Sequence, residues 1–121
     1  MIHGRVERLQ ALVGTVIRVP GKADLEIEFV VDTGFEGWLT LPAAAITALG
    51  LPYLQDLDAT LADDSKVRVD LHIATIVLQG NVLDVPVLAM GKRPLLGAAL
   101  LAGKELVVQF VDNGLVTVED V

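Results

Sequence analysis

The chain has 121 residues, 9 basic and 16 acidic side chains, a net charge of −7 and a pI near 4.6, a balance that repels phosphate backbones and excludes nucleic acid as an expected partner. There is no cysteine, and His3 and His72 stand far apart with no ligand spacing between them, so no metal and no cofactor is expected. The length suits one domain over residues 1–121, and a hydrophobic share of 53% exceeds the usual figure of about 45 to 50%, which predicts that some apolar surface is covered by a partner.

In chain order, ALVGTVIRV (11–19) is rich in β-branched residues and stops at the turn residues Pro20 to Asp24, so it predicts a strand. LEIEFVVD (25–32) alternates Leu25, Ile27, Phe29 and Val31 against Glu26, Glu28 and Val30, which predicts a second strand with the first set facing the core. On that register Asp32 falls on the other face. WLTLP (38–42) predicts a short strand, and AAAITALG a helix that opens after Pro42 and closes at Gly50.

ATLADDSKVRVDLHIATIVLQG (59–80) predicts a long hairpin turning at Asp63-Asp64-Ser65. Its alternation of Val67, Val69, Leu71 and Ile73 with charged residues gives way to ATIVL, as expected of a strand that projects outward and is rooted in the core, buried there on both faces. His72 is expected to be an exposed residue of this strand. VLDVPVLAM (82–90) predicts a strand at an edge or bulge, because Pro86 cannot donate to a ladder. LLGAALLAG (95–103) has room for one or two helical turns, and ELVVQF and LVTVEDV flank the hairpin signal Asn113-Gly114. The sum is a mainly β domain with one or two short helices. No apolar run approaches the roughly 18 residues that cross a bilayer, and no signal-type segment is visible, so a cytoplasmic location without membrane association is expected.

The chemistry concentrates in VVDTGFEG (30–37), where an apolar strand ends on a carboxylate. Apolar-apolar-Asp-Thr-Gly at a strand end, a projecting mid-chain hairpin, and a late Leu95-Leu96-Gly97 before a short helix together resemble a retropepsin-like aspartic protease, in particular its small bacterial and archaeal single-domain members. The resemblance covers roughly residues 11 to 111. It implies an acid-protease barrel with a flap and no cofactor. It also implies an endopeptidase that acts on extended peptides or unfolded protein as a symmetric homodimer, since this chain has a single Asp-Thr-Gly.

Carried over by position, Asp32 would be the catalytic carboxylate, Thr33 would bond across the dimer, and Gly34 would let the backbone pass close. Leu95, Leu96 and Gly97 would support that loop, with no room for a larger residue at Gly97. Ala62, Asp63, Asp64, Ser65 and Lys66 would form the flap, and Phe35, Glu36 and Trp38 would be candidates for a substrate subsite. The chain departs from the retroviral pattern at Ala98-Ala99, where those enzymes carry polar residues that hold the active-site loop, which leaves Glu36 without that polar partner. Its hairpin tip carries two aspartates in place of glycines. A simple turn aspartate at position 32 is the competing reading for the motif, and a non-catalytic dimeric peptide-binding or assembly module is the competing function.

Overall fold

The computed structural model describes all 121 residues and is mainly β. Ten strands form one sheet: β1 (Ile2–Glu7), β2 (Gln10–Arg18), β3 (Leu25–Asp32), β4 (Leu39–Leu41), β5 (Tyr53–Thr60), β6 (Lys66–Leu78), β7 (Asn81–Ala89), β8 (Leu95–Gly97), β9 (Lys104–Val108) and β10 (Leu115–Asp120). Two helices are short, α1 (Ala43–Leu49) and α2 (Ala98–Leu101). No helix is long and apolar enough to cross a membrane.

The sheet closes on itself because β6 is long enough to serve two neighbourhoods. Its first half pairs with β5 as far as His72, and Thr75 to Val77 pair with Arg18 to Val16 of β2. The circuit β6-β7-β4-β8-β3-β2 is therefore a closed six-stranded barrel, with β1, β10 and β9 continuing the sheet beyond β2 and β5 standing outside as the second arm of the hairpin. Phe29, Ile17, Leu39, Leu41, Ile46 and Ile76 fill the main core, each almost without solvent contact. Burying one such side chain contributes roughly 1.5 to 3 kcal/mol, so this cluster is the chief source of stability. A smaller cluster of Val6, Ala11, Val13 and Val116 lies under the extension of the sheet.

The helix boundaries follow from local chemistry. Pro42 occupies the N-cap of α1, and Gly50 ends the helix in the left-handed conformation with φ 65°, its N–H bonded to the carbonyls of the last turn.

Several expectations are corrected. Within β3 the burial does not follow one face: Leu25 is 44% exposed, whereas Val30 is buried. Leu25 lies at the open end beside the Pro20 turn, while Val30 lies between Leu12 of β2 and Leu95 of β8, where the barrel covers both faces. β7 is not an edge strand, since it pairs with β6 along its length and with β4 from Val87 onward. Pro86 is tolerated because it stands one residue before the β4 pairing begins, where no ladder donor is required on that side.

β6 is not buried on both faces past Ile73. Instead Ala74, Ile76 and Leu78 are buried while Thr75 and Val77 are half-buried, so the buried face changes parity where the strand passes from hairpin to barrel. His72 is half-buried rather than exposed: its Nδ1 lies 3.0 Å from the Leu51 carbonyl and its ring meets Tyr53 edge-on at 5.5 Å. β1 and the first six residues of β5 carry too few consecutive apolar residues to be legible by alternation, and only their partners define them.

Candidate active site

Asp32 is the last residue of β3, and its position is set by an insertion in the sheet. β3 and β4 are consecutive in sequence, yet β8 lies between them, parallel to β3 and antiparallel to β4. The pairing Val30–Leu95, Val31–Leu96 and Asp32–Gly97 holds the Asp-Thr-Gly end against the Leu-Leu-Gly end. The loop 33–38 then folds over β8. Gly97 N–H donates to the Trp38 carbonyl (2.8 Å), Ala98 N–H to Phe35 (2.8 Å) and Ala99 N–H to Gly37 (3.1 Å).

Backbone amides thus hold this loop on β8. The arrangement requires glycine at 97: a Cβ there would lie 2.2 Å from the Gly37 carbonyl oxygen and 2.8 Å from that of Phe35. The expectation of no room at Gly97 therefore has a direct geometric basis.

The Asp32 carboxylate is half-buried, and its Oδ1 accepts the Gly34 N–H at 3.0 Å. Its own carbonyl accepts Phe35 N–H at 3.1 Å, closing a tight turn. The carboxylate faces a cleft of about 690 Å³. Gly34, Phe35, Glu36, Gly37, Thr40 and Leu95 border it on the barrel side, with Leu88, Met90 and Gly91 from the end of β7. Leu57, Ala59, Thr60, Leu61 and Ala62 of the β5–β6 hairpin form the opposite wall. A largely apolar trough with a carboxylate on its floor suits an extended chain whose side chains are apolar.

The structure brings together some of the residues singled out from sequence and separates others. Asp32, Gly34, Phe35, Glu36, Ala62 and Leu95 share the cleft. Leu96 and Gly97 are buried behind the loop, in the supporting position. Thr33 is exposed, outside the cleft lining, and its hydroxyl has no hydrogen bond within the chain.

Trp38 does not reach the cleft. Its carbonyl is committed to Gly97, and its side chain borders a separate groove with Val82, Leu83, Ala99 and Leu100. Asp63, Asp64, Ser65 and Lys66 lie beyond the cleft wall, at the exposed tip of the hairpin. There Asp63 Oδ1 accepts both the Ser65 hydroxyl (2.5 Å) and the Ser65 N–H (3.0 Å). These two bonds hold the Asp63 carboxyl below the usual carboxylate range, the hydroxyl contributing most.

Sequence reasoning missed Leu57, Ala59 and Thr60 of β5 and Leu61 just beyond it, all of which line the cleft. Leu57, Ala59 and Leu61 recur at a period of two in LDATL, but Asp58 and Thr60 between them obscure it. Thr40 was also missed: it lines the cleft, is buried, and its hydroxyl lacks a partner. No protein-family model matches the chain, and no curated protein matches it.

Proposed function

We propose that the protein is an aspartic endopeptidase that works as a symmetric homodimer, each chain supplying one Asp32. Two carboxylates across a two-fold axis share one proton because like charges so close do not both ionise. The ionised member takes a proton from a water molecule as its oxygen attacks the peptide carbonyl carbon. The protonated member donates to the carbonyl oxygen; the first carboxyl then passes the proton it took from water to the nitrogen, the C–N bond breaks to release the amine, and the diol returns a proton to the second carboxylate as the acid product forms. The substrate is an extended peptide or unfolded protein lying in the cleft, with the β5–β6 hairpin as the flap that adds main-chain hydrogen bonds.

The observation that carries this reading is the placement of Asp32. Its carboxylate is fixed by Gly34 N–H at 3.0 Å on the floor of a cleft walled by a projecting hairpin, and no cation within the chain pairs with it. A turn aspartate needs the first feature and not the second. The free hydroxyl of Thr33 is in keeping with a partner supplied by another chain.

The test compares the wild-type chain with Asp32→Asn on denatured protein and peptide-library substrates across mildly acidic pH. Wild type is expected to cleave, and the variant to lose at least about a thousandfold in rate. Equal rates would overturn the assignment. A second reading, a dimeric module that binds peptide without turnover, is favoured by the hairpin tip, where Asp63 and Ser65 fix the turn in place of mobile glycines. Peptide binding that is the same in both proteins, with no cleavage by either, would select it.

A further inference from the structure

The β1–β2 connection is two residues long, Arg8-Leu9, and both have positive φ, 50° and 64°. A two-residue hairpin loop of this kind is the type I′ turn, for which Asn-Gly is the low-energy sequence. An arginine and a leucine adopt it only against steric resistance between Cβ and backbone. The leucine gains nothing in its own chain, because it is 78% exposed.

The neighbouring β9–β10 loop has one left-handed non-glycine residue, Asn113 with φ 60°, a residue type that adopts it readily. Gln109 N–H bonds to Leu115 O (3.0 Å), Gly114 N–H to Val111 O (2.8 Å), and Leu115 N–H to Gln109 Oε1 (3.2 Å). The loop docks on the end of β1 through Asn113 N–H to Val6 O (3.0 Å) and Val6 N–H to Gly114 O (2.9 Å). A Cβ at Gly114 would stand 1.8 Å from the Gln109 carbonyl oxygen, so the loop is closely packed against itself. Yet it leaves Phe110 61% and Val111 64% exposed. Arg8 and Asp112 lie in these two loops, both exposed and neither in an ion pair; Lys22, Lys66, Lys92 and Arg93 are the other cations without a carboxylate partner.

We propose that this corner is an interface with a second copy of the chain, in which Leu9, Phe110 and Val111 pack around a two-fold axis and Arg8 pairs with the partner's Asp112. A two-fold contact sets a surface against itself. A patch with one cation and one anion beside an apolar centre is complementary to its own copy, as a patch of single charge is not. Because backbone bonds already fix both loops, little freedom is lost on association.

The corner also lies where the dimeric reading of Asp32, on which this inference rests for its choice of partner, needs a second chain. Continuing the Leu12–Val30 register of β2 and β3 by two residues sets Gln10 opposite Asp32, so the Arg8-Leu9 turn is at the Asp32 end of these strands. Gln10 is further bonded to Arg93, in the segment that leads into β8.

Sedimentation of the purified full chain over a range of concentrations tests the interface. Arg8→Asp and Asp112→Arg are each expected to raise the dimer dissociation constant by about a hundredfold, since a two-fold axis doubles every charge reversal. Combining them is expected to restore the wild-type constant. Arg8→Asn with Leu9→Gly is expected to weaken the dimer while the melting temperature of the monomer does not fall.

Single reversals that leave the constant unchanged, a combined variant that dissociates like the singles, or a wild type that stays monomeric would each overturn the proposal. Cleavage assays keep the two readings apart. Reversals that behave as expected beside an inert wild type leave the interface standing and remove the protease. An Asp32-dependent activity with indifferent reversals does the opposite.

Discussion

The loop from Thr33 to Trp38 and the β5–β6 hairpin border the same cleft, but they are held in different ways. The loop is locked by backbone: three successive amides of Gly97, Ala98 and Ala99 donate into it, and the absence of a Cβ at 97 lets it lie flat on β8. The hairpin tip is held only by bonds within itself, Leu61 N–H to Ser65 O, Asp64 N–H to Leu61 O and the two from Ser65 to Asp63, and every residue from Ala62 to Lys66 is exposed. Packed backbone gives the carboxylate a fixed position, whereas a solvated tip can open at little cost. The proposed endopeptidase would need one region of each kind, one to hold the reacting carboxylate and one to admit a chain.

That contrast breaks first at Gly97. Gly97→Ala forces the Gly37 and Phe35 carbonyls off β8, and is expected to destabilise the fold by about 3 kcal/mol, read as a lower denaturation midpoint at unchanged slope. An effect below about 1 kcal/mol would mean that the loop is not locked there. The same region offers a change of opposite sign. Thr40 is buried beside the cleft with an unpartnered hydroxyl, so Thr40→Val is expected to stabilise by about 1 kcal/mol in the same measurement. A loss of stability would show that the hydroxyl has a partner in solution.

On the hairpin the expected effects are smaller. Asp64 has φ 65°, and Asp64→Gly relieves that conformation while loosening the unfolded chain, so stability is expected to change by less than about 1 kcal/mol. A larger loss would place the tip among the packed parts of the molecule. Smallest of all is Ser65→Ala, which removes the hydroxyl that lowers the Asp63 titration and is expected to move it up toward the ordinary carboxylate range, followed by NMR of the Asp63 carboxyl carbon. Because the folded value is depressed, the stabilisation from this turn is fully present above the unfolded value and is lost as pH falls through the folded one. An unchanged titration would assign the shift to the Ser65 N–H alone.

Much of the architecture was legible in the chain because local chemistry fixes it. β-Branched residues marked β2, period-two alternation marked β3 and the β6 arm of the hairpin, Asp63-Asp64-Ser65 marked the hairpin turn, and Pro42 with Gly50 bracketed α1. These signals act within a few residues, where propensity and side-chain direction suffice. The motif Asp32-Thr33-Gly34 and the supporting Leu95-Leu96-Gly97 were legible for the same reason, as short strings with demanding backbone chemistry.

What the tertiary structure alone decided is which strands meet and therefore which side chains share a space. Nothing local says that β8 enters between β3 and β4, that Trp38 turns away from the cleft while Leu57, Ala59 and Leu61 turn toward it, or that Val30 is buried and Leu25 is not. Nor does the sequence show that the strained Arg8-Leu9 turn lies beside Phe110 and Val111, about a hundred residues later in the chain. Strand pairing at such separations depends on the closure of the barrel as a whole. Burial at a given residue is set by what closure brings against it, not by its neighbours in sequence.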